Sequence, residues 1–346
     1  MVLFAALELV LVMAVPFLGI AGYHALLESK AGNFARPPAP DEPGWRALLD
    51  PTPVMAVVEV DEGSVTGIAL LVDASLPDVG DVADGGLQLY AAEMHTVILV
   101  PGSLHIDGSP LSAHAPDAAM EILSEHMRLA ISHVEVVGEE RWASVMGATK
   151  YLLPNPDPVN DDLVVGEVEV NADNAAAFLG RPAPGMDPIT VMFRRQAFWD
   201  AVMQQAPTGP DPLASTLQSL EGAMVEVVPL QSLDPNPRLE PVATEALIRD
   251  VVPFPSSPLR AQVRLIDRTG LADLNQLAAE FAALGFEVIE IGNAATFDAG
   301  PTELFAPEGI DVSELEMSTG ATAVRGGTEV SLTVGADFLA SRISRD

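Results

Sequence analysis

Residues Leu259 to Ala294, LRAQVRLIDRTGLADLNQLAAEFAALGFEVIEIGNA, admit few readings. Ala261 to Ile266 alternates apolar and polar residues, as a half-buried strand does. Thr269-Gly270 interrupts the run, and Asp273 stands where a helix would be capped. Leu274, Leu277, Ala278, Phe281 and Leu284 then recur at helical spacing, and Gly285 supplies the stop. Phe286 to Ile291 returns to two-residue alternation before Gly292-Asn293 turns the chain. A strand, a helix and a strand within about 35 residues is the length of a βαβ unit.

Gly285-Phe286-Glu287-Val288, Gly292-Asn293-Ala294 and the ending VSLTVGADF (Val330 to Phe338) occur in that order. Together they resemble the LytR C-terminal domain, which follows LytR-CpsA-Psr domains in Gram-positive envelope proteins, here of actinobacterial type. Asp267-Arg268-Thr269-Gly270 departs from that family's usual Asn-Gly-Thr-Gly first turn.

The preceding part of the chain reads as one α/β domain. Val54 to Val60 and Ile68 to Val72 are apolar strands with Asp61-Glu62-Gly63 turning between them. Leu87 to Tyr90, Thr96 to Val100, His133 to Val137 and Met224 to Val228 are further predicted strands. Helices are predicted behind Pro116, over Arg141 to Tyr151, over Ala172 to Leu179 behind Asn171, over Arg194 to Gln205 and over Asp211 to Leu220. Within this order, Leu99 to Leu104, Leu129 to Val136, Ala177 to Pro182 and Asp187 to Trp199 resemble successive LytR-CpsA-Psr motifs. Arg194-Arg195-Gln196-Ala197-Phe198-Trp199 is the best match.

The predicted organisation is α/β throughout. It comprises a transmembrane anchor (1–29), a Pro-rich tether (30–50), a degenerate LytR-CpsA-Psr-like domain (51–230), a Pro-rich linker (231–258) and a βαβ-containing C-terminal domain (259–342). The anchor rests on Met1 to Leu27, apolar apart from Glu8 and His24 and long enough for a ~30 Å hydrocarbon core. Lys30 and Arg36 follow the segment and no basic residue precedes it, which by the positive-inside rule favours a cytoplasmic domain. The resemblance implies the opposite: a single-pass protein of the cell membrane with its domains extracytoplasmic. A basic leader upstream of Met1 would reconcile the two. A short helix is predicted over Val242 to Arg249, and a hairpin turn at Arg325-Gly326-Gly327.

Composition removes whole classes of function. The chain has no cysteine, so disulfide, thiolate and Cys-zinc chemistry are excluded. Its net charge is −32, from 49 acidic and 17 basic residues, which excludes nucleic-acid binding. A saline habitat and a cationic partner both fit such a field. Asp78, Asp81 and Asp84 lack the alternate-position oxygens and distal Glu of an EF-type calcium loop, so they read as a solvated acidic loop. His105, His114, His126 and His133 follow no zinc spacing, and Ser103 is in no nucleophile elbow. Phe198 and Trp199 read as core.

Family transferases move glycopolymers from polyprenyl pyrophosphate carriers to peptidoglycan. That chemistry needs several arginines around the diphosphate and carboxylates for Mg²⁺. Here Gly102 and Ser103 stand for the motif's Arg and Asp, and Val65-Thr66-Gly67 carries neither charge of its strand. Gly180 and Pro182 stand for an Arg pair, and Met192 for the Arg four before the Gln. Arg181, Asp187 and Arg195 remain as catalytic remnants, and Arg194 with Arg195 as an anion-binding remnant; the competing reading pairs these arginines with nearby carboxylates. Each missing charge-assisted contact forfeits about 1.5–3 kcal/mol. The deficit predicts a non-catalytic scaffold, a pseudoenzyme of cell-wall assembly that binds wall material or envelope proteins and needs no cofactor. Two alternatives stay open: a divergent phosphotransferase using Mg²⁺, and a cytoplasm-facing adaptor.

Overall fold

A computed structural model describes residues 38–73, 95–160, 163–180, 188–231 and 236–343. The predicted anchor, the acidic loop at 76–86, the strand at 87–90, and Arg181 and Asp187 lie outside these residues. Among the described residues, no helix is long and apolar enough to cross a membrane.

After the short strand β1 (Arg46–Leu48), the strands β2 (Val54–Asp61) and β3 (Ser64–Val72) form a hairpin. Its tip holds Glu62 at φ 47° and Gly63 at φ 78°, the doubly left-handed turn whose twist suits a tight hairpin. β4 (Thr96–Pro101) follows, then a small hairpin of β5 (His105–Ile106) and β6 (Ser109–Pro110). Next come α1 (Pro116–Met127), β7 (His133–Val137), α2 (Glu139–Met146), β8 (Tyr151–Asn155) and β9 (Gly166–Val170). The helices α3 (Ala175–Leu179), α4 (Pro188–Gln204) and α5 (Pro212–Ser219), then β10 (Met224–Val227) and α6 (Pro241–Val251), complete this part.

The central sheet runs β10-β4-β3-β2-β7, with parallel pairs at its two edges and antiparallel pairs inside. β2, β3 and β4 are apolar almost throughout because both faces are covered. Val57, Ala69, Leu71, Val97 and Leu99 pack with α2, α3, α4 and α5. Ala56, Val58, Ile68, Leu70 and Ile98 pack on the other side with α1 and α6. α6 lies in the stretch expected as a linker, yet Ile248 and Val252 are 1% exposed within this core.

The C-terminal sheet contains β11 (Gln262–Asp267), β12 (Glu287–Asn293), β13 (Glu303–Ala306), β14 (Ala323–Arg325) and β15 (Val330–Val334). α7 (Leu274–Ala283) crosses between the parallel strands β11 and β12, while α8 (Ser313–Thr319) and α9 (Ala336–Ile343) complete the domain. Asp273 accepts a hydrogen bond from the Gln276 N–H, the predicted cap. Asp267, where the family has Asn, organises the first turn by accepting from Thr269 N, Thr269 Oγ1 and Ala272 N.

The structure departs from the sequence reading at three further places. The end of the expected tether is built into the C-terminal sheet, as β1 pairs antiparallel with β12 in the order β1-β12-β11-β15-β13-β14. The Gly292-Asn293-Ala294 motif holds it there: Asn293 Nδ2 donates to the carbonyls of Pro40 (2.8 Å) and Glu42 (2.9 Å), and Ala294 O accepts from Gly44 N. A Cβ on Gly292 would lie 2.5 Å from the Trp45 carbonyl oxygen. Second, the helix predicted to Tyr151 ends at Met146, because Gly147 turns the chain at φ 55° against Gly209. Tyr151 instead opens β8 and donates its hydroxyl to Gln205 O at 2.7 Å. Third, Arg325-Gly326-Gly327 closes no hairpin: β13 lies between β14 and β15, parallel to one and antiparallel to the other.

Candidate functional site

Glu59 is the one carboxylate buried within the hairpin β2–β3, at 1% exposure. It shares the face of Val57, just before a register shift between Glu59 and Val60, and is paired across the hairpin with Gly67. An ionised carboxylate there is tolerated only with a counter-charge and satisfied oxygens. α4 supplies both. Its buried stripe presents Arg194, Arg195, Phe198, Trp199 and Val202 to the sheet, positions that fall on one side of a helix.

Arg195 meets Glu59 in a forked pair, Nε to Oε2 at 2.7 Å and Nη2 to Oε1 at 3.2 Å. Its Nη1 donates to Val100 O at 2.9 Å, and Trp199 Nε1 donates to Glu59 Oε1 at 2.8 Å. Gly67 makes the room, because a Cβ there would lie 2.0 Å from Arg195 Cζ. Arg194 has a different set of partners. Its Nη1 donates to Asp157 Oδ1 at 3.1 Å, its Nη2 to Gly180 O at 3.4 Å, and its guanidinium carbon sits 5.9 Å from the Phe178 ring centre. Both arginines are 0% exposed, as is Asp157. Burial pulls the Arg194 pKa below the ordinary arginine value, and the charge of Asp157 opposes that shift. Arg194 Nε and Asp157 Oδ2 have no partner, so this pair is the less completely satisfied.

Edge-to-face aromatic contacts seal the region: Trp142 with Phe198 at 5.2 Å, Tyr151 with Phe198 at 5.9 Å, and Phe198 with Trp199 at 6.1 Å between ring centres. Burial raises the Tyr151 pKa, which keeps its hydroxyl protonated as a donor. An anion arriving at Arg195 would have to displace a forked carboxylate inside this wall. A Mg²⁺ ion would meet a Glu59 whose two oxygens already accept three hydrogen bonds.

Of the residues singled out in the sequence, the structure brings Arg194 and Arg195 to one buried layer and describes neither Arg181 nor Asp187. Glu59 and Asp157, the partners that define the layer, were missed. Glu59 carried a readable signal, an acid inside the apolar run VMAVVEVD. The histidines do other things: His126 lies 3.6 Å from Asp107, His133 lies 2.7 Å from Glu135, and His105 Nδ1 lies 2.9 Å from Ser103 O. Among the described residues, no cluster of His, Asp and Glu could hold a metal ion.

No protein-family model matches the chain, and no curated protein matches it by sequence. Solved structures do. A LytR-Csp2A-Psr enzyme from Actinomyces oris is 14% identical at a TM-score of 0.40, over 62% of this chain and 96% of its own. The LytR-CPS2A-psr family protein YwtF (TagT), with bound octaprenyl pyrophosphate lipid, is 8% identical at 0.40, over 58% and 89%. TagT bound to LI-WTA is 8% identical at 0.42, over 58% and 90%. These structures come from the family whose motifs the sequence resembles.

Proposed function

We propose that this chain is a non-catalytic binding or scaffold protein of the cell envelope, a relative of LytR-CpsA-Psr proteins that organises partners in wall assembly. One observation carries the reading. On the helix that matches the family's Arg- and Gln-containing motif, both guanidinium groups are fully buried and held by internal carboxylates, Glu59 and Asp157. Protein groups occupy every nitrogen of Arg195 and both terminal nitrogens of Arg194, the donors that a diphosphate would need. The motif resemblance supports the envelope setting and the placement of the domains outside the membrane, and the apolar stretch from Met1 to Leu27 supports an anchor in it.

The test uses the full chain with a polyprenyl-pyrophosphate-linked glycan donor, Mg²⁺ and peptidoglycan acceptor. The expected result is no transfer above the uncatalysed background, together with saturable co-sedimentation of the chain with wall material or recovery of an envelope protein. Turnover above background overturns the proposal in favour of a divergent transferase. A reporter fused after residue 230 that is active only in the cytoplasm overturns the placement.

A further inference from the structure

Among the described residues, every Lys or Arg except Arg128, Arg238, Arg260 and Arg325 is ion-paired to a carboxylate. In a chain with 49 acidic and 17 basic residues, that is the default fate of a cation. Arg325 donates instead to the backbone oxygens of Pro307 and Ile310. The other three exceptions converge on one cleft of about 530 Å³. It opens between the C-terminal end of α1, the β5–β6 hairpin and the start of α6, beside the entry to the C-terminal domain. Its core residues belong to the opposite face of the central sheet from Arg194 and Arg195.

The cleft is built rather than incidental. Arg128 sits at φ 50°, a left-handed conformation that an ordinary side chain adopts at a cost, and caps α1 with its N–H on Glu125 O and Ser124 O. Arg260 Nε donates to the Arg128 carbonyl at 3.1 Å and Nη1 to Ala282 O at 3.1 Å, which fixes the guanidinium without neutralising it. Burial and the nearby Arg128 charge lower the Arg260 pKa, and the carboxylates of Glu245 and Glu287 oppose the shift without forming an ion pair. Thr244, 4% exposed, is a lining residue of the cleft, and its buried Oγ1 has no hydrogen-bond partner. A buried hydroxyl without a partner is uncommon in a folded protein and needs an explanation. Ile106, Met127, Leu239 and Ile248 supply apolar wall. Asp107 and Glu245 also line it, leaving three guanidinium charges against two carboxylates in a molecule of net charge −32.

We propose that this cleft binds a small-molecule oxyanion, a phosphate or carboxylate group on a compact and partly apolar body, through Arg128, Arg238, Arg260 and the Thr244 hydroxyl. Guanidinium groups suit either oxyanion because their donors match paired oxygens. The inference uses none of the residues on α4, so its failure would leave the scaffold proposal standing.

The test is calorimetric titration of the full chain with inorganic phosphate and, as a separate arm, with acetate, at constant ionic strength set by chloride. Saturable binding of at least one anion is expected, and the arm that binds distinguishes a phosphate ligand from a carboxylate one. The double variant Arg128→Asn, Arg238→Ala should weaken it at least tenfold. Asn suits the left-handed position, so the fold is preserved. Thr244→Val, which changes shape little, should weaken it severalfold and serves alone if the double variant misfolds. Lys150→Gln, on an exposed residue outside the cleft, should change nothing. No saturation with either anion, unchanged binding in the double variant and in Thr244→Val, or equal weakening by Lys150→Gln each overturns the site.

Discussion

Replacing Arg195 by Met tests whether the buried pair holds the domain together or waits for a ligand. The substitution keeps much of the side-chain volume and leaves Glu59, 1% exposed, with Trp199 Nε1 as its remaining donor. Breaking a buried pair by removing one partner costs about 3–5 kcal/mol, because the other charge stays behind. Glu59→Gln strands Arg195 in the same way and should cost a similar amount. The double variant is the informative one. The amide that replaces the Glu59 carboxylate can still accept from Trp199 Nε1, and no charge remains buried. The residual loss should be about 1–2 kcal/mol for the hydrogen bonds that are not replaced. The coupling between the two sites should therefore be about 4 kcal/mol or more. Equilibrium urea unfolding reads this directly, since two of the three tryptophans, Trp142 and Trp199, report on this core. The reasoning fails if Arg195→Met alone costs less than about 1 kcal/mol. It also fails if the two single costs simply add.

Gly67→Ala should destabilise the first domain by about 1–3 kcal/mol, because the new methyl would collide with a guanidinium locked on both sides. Combining it with Arg195→Met should cost less than the sum, read by the same unfolding midpoints. Acid should also unfold this domain through Arg141, which holds Glu135 on β7 and Asp211 at the cap of α5. The Arg141 hydrogen bond lowers the Glu135 pKa below 4.5. At Asp211 burial works upward, but the bonds from Arg141 and the Leu213 N–H outweigh it, so its pKa falls below 3.8. Both folded values are depressed, so the stability they contribute is present above the unfolded values and is lost as pH falls through the folded ones. Urea midpoints from about pH 7 to about pH 3 should drop less steeply at the acid end in Arg141→Gln than in the wild type.

Much of the fold was legible because its signals are local. β2 and β3 carry continuous apolar runs with a Glu-Gly turn, and Asp273, the α7 stripe and Gly285 punctuate one crossover unit. The failures come where a distant partner decides. Arg46-Ala47-Leu48 has no pattern of its own, and Leu48 is 77% exposed. It is a strand because β12 offers an edge and Asn293 grips the chain just upstream. Arg325-Gly326-Gly327 had good hairpin chemistry, but β13 had already taken the position beside β15. The helix α6 was expected, but inside a linker because prolines surround it, whereas Pro241 occupies the first turn of a helix that packs on the sheet.

The site divides along the same line. Charged neighbours on a helix can be read from sequence, and counting missing arginines directed attention to α4. Counting could not show that a strand residue more than a hundred positions away neutralises one of those that remain. Glu59 could have been found by asking what an acid does in the middle of an apolar strand, since such a group is admitted only with a cation. The converse question exposes the second cleft. In a molecule this acidic, an arginine next to a carboxylate carries little information, because nearly any exposed arginine finds one. An arginine that makes no ion pair carries much more. Arg128, Arg238 and Arg260 lie on separate segments of the chain and become a group only when α1, α6 and the start of the C-terminal domain are brought together. Of the cations that matched a motif, Arg194 and Arg195 are held by internal carboxylates, whereas Arg128, Arg238 and Arg260, which matched none, make no ion pair.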